Sequence, residues 1–148
     1  MNTQSLYNTP VEVAIRLLMI LEQSKEQQDL ERLLLVEHFS LHTSDVGITL
    51  ESIHAPVPNR GVQLYAKEKV VKLALNFLLS KDLIDIKFTN EGFMYKANDI
   101  SLLFLNYFES NYFTKFQERV HLVLLKFSNY NTKEMKKYFE DKVLELQK

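Results

Sequence analysis

Two histidines four residues apart, His38 and His42, followed by Asp45, come nearest to a pattern with chemistry in it. On a continuing helix a pair at i, i+4 shares one face, as in helical zinc sites. Asp45 lies within reach of a third-ligand position. The rest of the metal pattern is missing. The glutamate, Glu37, precedes the first histidine, and the helix is expected to fray before Ser44. Surface or capping histidines are therefore the expectation, with no metal and no cofactor. His121, inside the apolar segment Val120–Leu125, reads as a packed or partly exposed histidine rather than a general base.

Other catalytic patterns are absent. No serine sits in a Gly-x-Ser-x-Gly elbow. With glycine only at Gly47, Gly61 and Gly92, there is no phosphate loop of the Walker or dinucleotide type. The chain has no cysteine, so disulfides, Cys-ligated zinc and thiol catalysis all fall away. Glu12, Glu22, Glu37 and Asp45 show no pairing logic for acid/base work. Catalysis is not expected of this chain.

Charge is the better lead. Net charge is −1, so the whole protein is no electrostatic glove for nucleic acid. The charge is unevenly spread, however. Residues 1–59 hold 3 basic and 8 acidic side chains, whereas residues 60–81 hold 5 basic and 1 acidic, or +4. Arg60, Lys67, Lys69 and Lys72 are the candidate phosphate contacts, with Lys87 or Lys96 adding to them. Such contacts give affinity without sequence readout. No arginine lies in the body of the helix, so base-specific recognition is not expected.

These residues sit on a legible series of elements. Thr9-Pro10-Val11-Glu12 announces a first helix to about Gln23, with a hydroxyl at N-cap, Pro at N1 and Glu at N3. Val11, Ala14, Ile15, Leu18 and Leu21 should face the core, with Leu17 and Ile20 on the flank. Asp29 caps a second helix through about Phe39. A poorly patterned loop follows from His42 to Asn59, of a length that is usually functional or ordered by a partner. Leu64, Val71, Ala74, Leu75 and Leu78 then mark a long helix. Leu83–Phe88 and Phe93–Ala97 alternate as strands about the turn Thr89-Asn90-Glu91-Gly92. Three helices close the chain: one short and very apolar from Asn98-Asp99 to about Glu109, one over about Tyr112–Phe127, and one from Thr132 with a box between Asn131 and Glu134.

Helix, strand, turn and strand in this order read as helix-turn-helix plus wing. The expected fold is mainly α with a small β-hairpin: a winged-helix domain over residues 1–97, followed by a C-terminal helical extension, 98–148, packed on it. The 17 Phe and Tyr residues supply bulk for a core. Tyr107, Phe108, Tyr112, Phe113 and Phe116 are crowded enough that part of them is expected to meet a partner protein. No segment is apolar for long enough to cross a bilayer, and no secretory leader is evident, so a soluble cytosolic protein is expected.

Several short motifs together resemble a known family. Ser5-Leu6-Tyr7-Asn8-Thr9-Pro10, followed by Glu12 and Arg16, is similar to the middle component of bacterial ABC-three-component systems. So are His42-Thr43-Ser44-Asp45, the Pro-rich loop leading into Arg60-Gly61, and the Leu78–Leu83 run entering a wing. The resemblance spans roughly Leu6 to Phe127. It implies a small non-catalytic subunit beside an SMC/Rad50-like ATPase and an effector, often a nuclease, as in Lamassu anti-phage systems. Such a subunit braces ATPase heads and restrains the effector, with DNA reached through the complex. Tyr7, Asn8, Tyr107, Phe108, Tyr112 and Phe113 are the expected protein-interface residues. The alternative is a free-standing winged-helix DNA-binding regulator.

Overall fold

The computed structural model describes residues 9–144. The first helix, α1 (Pro10–Ser24), starts where the sequence says. The Thr9 hydroxyl accepts from the Glu12 amide at 3.3 Å, with Pro10 in the first turn. Its role differs from the expected one-sided helix. Every residue from Val13 to Leu21 is buried, Leu17 and Ile20 included, whereas Val11 is half exposed. The reason is that later helices cover α1 on several sides. It packs on α2 (Leu30–Leu41), α3 (Arg60–Ser80) and α5 (Asn111–Lys126), and on the short α4 (Ser101–Leu105).

A two-residue strand, β1 (Gln28–Asp29), precedes α2 and was not expected. It pairs antiparallel with β3 (Gly92–Ala97), Gln28 opposite Tyr95 and Asp29 opposite Met94. β3 pairs in turn with β2 (Ile84–Thr89), giving a three-stranded antiparallel sheet of order β1-β3-β2. Asp29 also caps α2, accepting from the Arg32 amide at 2.7 Å. The β2–β3 turn uses Gly92 at φ +102°, a conformation that disfavours any residue with a Cβ. The half-buried strand expected over Leu83–Phe88 is buried only at its base, through Leu83 and Ile84. Ile86, Phe88 and Phe93 are exposed, and the last two meet edge to face at 5.2 Å.

The loop 42–59 is ordered by this chain itself. It opens with a 3₁₀ turn, Thr43–Val46, closed by Gly47 in the left-handed region. Ser52 Oγ accepts from the Ser44 amide at 3.0 Å, and the His54 amide donates to Leu41 O at 3.0 Å. Arg119 of α5 donates to Glu51 O at 3.1 Å. The C-terminal helices are tied to the front of the chain as well. Arg32 donates to Tyr130 O and Phe127 O past the end of α5, and Thr132 donates to Asp29 Oδ2. Asn131 and Glu134 form both halves of a capping box on α6 (Thr132–Tyr138), which continues as a π-helical turn, Phe139–Val143. One core cluster runs from Val13 to Val143. The architecture is mainly helical with a small three-stranded sheet. Among the described residues, no helix is long and apolar enough to cross a membrane.

Candidate functional site

The densest chemistry lies inside the helical body. Arg16, in the middle of α1, is 0% exposed. A guanidinium in such a place must be paired. Its Nε donates to Glu37 Oε1 at 3.0 Å, and its Nη1 to the Tyr112 hydroxyl at 2.7 Å. The same Glu37 oxygen takes Lys67 Nζ at 2.9 Å. One carboxylate from α2 thus joins cations from α1 and α3. Burial alone would raise the Glu37 pKa, but Lys67 and Arg16 overcome it and hold the acid at about 2. Burial also draws the Lys67 pKa down, against the pull of Glu37. The Tyr112 hydroxyl, pushed up to about 12 by burial, lies 3.1 Å from His54 Nε2.

A second cluster adjoins the first. Asp45, in the 3₁₀ turn, takes Arg60 in a two-pronged pair, Nε to Oδ2 at 2.8 Å and Nη2 to Oδ1 at 3.0 Å. His38 Nε2 is 3.5 Å from the same Oδ2. Against the effect of burial, His38 and Arg60 hold the Asp45 carboxyl at about 2. The His38 ring lies 4.6 Å from that of His42, and the His42 ring 5.9 Å from that of His54. Burial, with the positive charge of nearby groups, lowers His42 to about 3 and His54 to about 4, so both are neutral at ordinary pH. The three imidazoles, with Lys67 and Gln63, line a cavity of about 180 Å³.

Several expectations change here. His38 and His42 are buried, not surface residues, although the His42 backbone does terminate α2. No group of His, Cys, Asp and Glu among the described residues is arranged to hold a metal. His121 is exposed. The four candidate phosphate-binding cations do not share one face. Arg60 and Lys67 are turned inward onto Asp45 and Glu37, while Lys69 and Lys72 stand exposed, the latter 3.4 Å from Glu68. The expected interface residues also divide. Tyr107 is 85% exposed, Phe108 and Phe113 are half-buried against Phe104 and Tyr112, and Tyr112 is committed to Arg16 and His54. Tyr7 and Asn8 lie outside the described residues. The network itself is not legible in the sequence because its Arg and Tyr partners lie 15 to 96 positions from the groups they meet. Its one local signal is a charge inside an apolar run, Arg16 within Ile15–Leu21 and Glu37 within Leu33–Leu41.

The motif residues that carried the resemblance now fall together: Arg16, the His42–Asp45 turn and Arg60 are parts of one buried polar assembly. A mainly helical fold with a hairpin and an internally paired ion network is the class that this geometry defines. The family model of the ABC-three component (ABC-3C) system Middle Component 2 matches residues 6–148. The chain belongs to that family. Comparison with curated proteins and with solved structures returned no match.

Proposed function

We propose that this chain is the non-catalytic small subunit of an SMC/Rad50-like ATPase complex in anti-phage defence of the Lamassu type. In this reading it bridges ATPase heads and restrains or positions a nuclease effector in the cytoplasm. The observation that carries the reading is the match to the middle-component family across nearly the whole chain. A winged-helix fold for the front of the molecule is part of the proposal. Its support is the order α1-β1-α2-α3-β2-β3, with β1 laid against the return strand of the hairpin.

Surface composition supports a scaffold. Around α4, Ile100, Leu102 and Leu103 stand more than half exposed next to Tyr107. Apolar residues clustered on a surface in this way mark contact sites. The rival reading, a free-standing DNA-binding regulator, is weakened because Arg60 and Lys67 already neutralise carboxylates. The test is co-expression with the ATPase and effector of an ABC-three-component system. A complex should survive size exclusion, and Leu103→Asp with Tyr107→Asp should release the subunit without changing its circular dichroism. A chain that stays monomeric and unbound when mixed with both proteins refutes the scaffold role.

A further inference from the structure

We propose that the histidine-lined cavity is a binding site for a single phosphoryl oxyanion. The cavity sits where α2, the loop 42–59 and α3 meet. Its polar lining consists of His38, His42, His54, Gln63 and Lys67, and no carboxylate is among the lining residues. Lining of this kind offers hydrogen-bond donors. The Lys67 ammonium has three, of which Glu37 takes one. The Gln63 amide has two, at the exposed mouth. His42 is 5% exposed, and its Nδ1 has no hydrogen-bond partner. A buried ring nitrogen beside a cavity calls for a partner within that cavity. A neutral imidazole can place its proton on Nδ1 and donate it there.

The charge balance favours an anion over a neutral occupant. Lys67 is the charged group in the cavity wall, and behind the wall, linked by ion pairs, stand Arg16 from α1, Glu37 from α2, Asp45 from the 3₁₀ turn and Arg60 from α3. With Lys67 included they sum to +1. Tyr112 of α5 is neutral, and Glu12 lies at the half-exposed start of α1. Burial is the larger cause of the depressed His42 and His54 values, and the positive charge of Lys67, joined at His54 by Arg16, adds to it. Size sets the class of ligand. A volume of about 180 Å³ lies below the roughly 300–1,000 Å³ that drug-sized ligands occupy. One tetrahedral oxyanion with a few waters fits, whereas a whole nucleoside does not. The ligand is therefore either free phosphate or the terminal phosphoryl group of a larger molecule whose remainder stays outside the mouth.

The test follows the imidazole resonances of His42 and His54 by NMR in the full chain, titrated with inorganic phosphate against chloride at matched ionic strength. A second pair of titrations uses adenosine monophosphate against adenosine. A saturable shift of His42 with phosphate, with its protonation moved toward neutral pH, is the expected result. Saturation by the monophosphate and not by adenosine identifies an ester terminus as an acceptable source, and saturation by inorganic phosphate alone identifies the free ion. Ala66→Phe closes the mouth from an exposed helical position and should abolish the shift without loss of fold. Gln63→Ala should weaken it several-fold. The proposal is overturned by no saturable change into the tens of millimolar, by an equal response to chloride, or by a response that persists in Ala66→Phe.

Discussion

Replacing Glu37 by Gln removes the one carboxylate between Arg16 and Lys67 while keeping its shape. Glutamine resembles the protonated acid, so the substitution reads the difference in proton affinity between the folded and unfolded chain. Held at about 2 against an ordinary 4.5, the carboxyl contributes about 3 kcal/mol at neutral pH, at 1.36 kcal/mol per pH unit. The general cost of removing one partner from a buried ion pair, about 3–5 kcal/mol, agrees. With a urea m-value of about 2 kcal/mol/M, the unfolding midpoint should fall by about 1.5 M. The sign with pH is fixed. Because the folded value is depressed, the contribution is fully present above about 4.5 and disappears as pH falls toward 2. The deficit of Glu37→Gln should therefore be flat from pH 8 to 5.5 and shrink below 4.5. A double-mutant cycle with Lys67→Met should show coupling of at least about 1 kcal/mol. A midpoint shift under about 0.3 M, or no coupling to Lys67, would refute the network as drawn.

Three further outcomes can be checked by similar means. His42 and His54 are held neutral well below the ordinary histidine value of 6.5. Their contribution is therefore intact above pH 6.5 and declines as pH falls toward 4. Two extra protons bound on unfolding give a slope of about 2.7 kcal/mol per pH unit near pH 5, and a stability that stays level from pH 7 to 5 would contradict it. Arg60→Ala leaves the Asp45 carboxylate buried beside His38 Nε2 at 3.5 Å, without its two-pronged guanidinium partner. It should lower stability by about 3 kcal/mol, whereas a surface arginine would cost under 0.5 kcal/mol. Asn131→Ala breaks the capping box of α6 and should cost about 1 kcal/mol in urea unfolding, and unchanged unfolding would show that the cap does not stabilise the helix.

Much of the order of elements was legible because helix caps and turns are local. Thr9, Asp29 and Asn131 each cap the helix that the pattern places after them, and Thr89–Gly92 makes the hairpin turn. β1 was invisible because two residues carry no periodicity, and only pairing with Tyr95 and Met94 makes Gln28 and Asp29 a strand. The burial of α1 on all sides was also hidden. A hydrophobic stripe marks one packed face, but neighbours arriving from residues 60–80 and 111–126 decide how many faces are packed. Basic residues posed the hardest problem. Lys67 and Lys69 look alike along the helix, yet one points at Glu37 and the other at solvent. That difference depends on a carboxylate 30 positions earlier, and no window along the helix contains it.

The ion network also bears on how the core selects its arrangement. Nine consecutive buried residues in α1 leave little in the apolar pattern to fix its rotation or its register against α2 and α3. Arg16 removes that freedom. A shift of α1 by one residue turns the guanidinium by about 100° away from Glu37 and Tyr112 and leaves it among Leu, Ile and Val side chains. The penalty for that mismatch, several kcal/mol, is larger than the packing differences that separate one apolar register from another. Asp45 does the same for the loop, because Arg60 at the start of α3 can be neutralised only if the 3₁₀ turn folds back onto it. His54 then carries the loop to Tyr112 on α5, which returns to Arg16. The charged residues that look misplaced along the sequence thus specify one relative placement of α1, α2, the loop, α3 and α5. In doing so they take Arg60 and Lys67 out of the surface patch that a nucleic-acid reading would need, while Lys69 and Lys72 stay exposed. Among the described residues, the exposed features open to recognition include the apolar residues around α4, the exposed hairpin aromatics Phe88 and Phe93, and the mouth of the histidine-lined cavity.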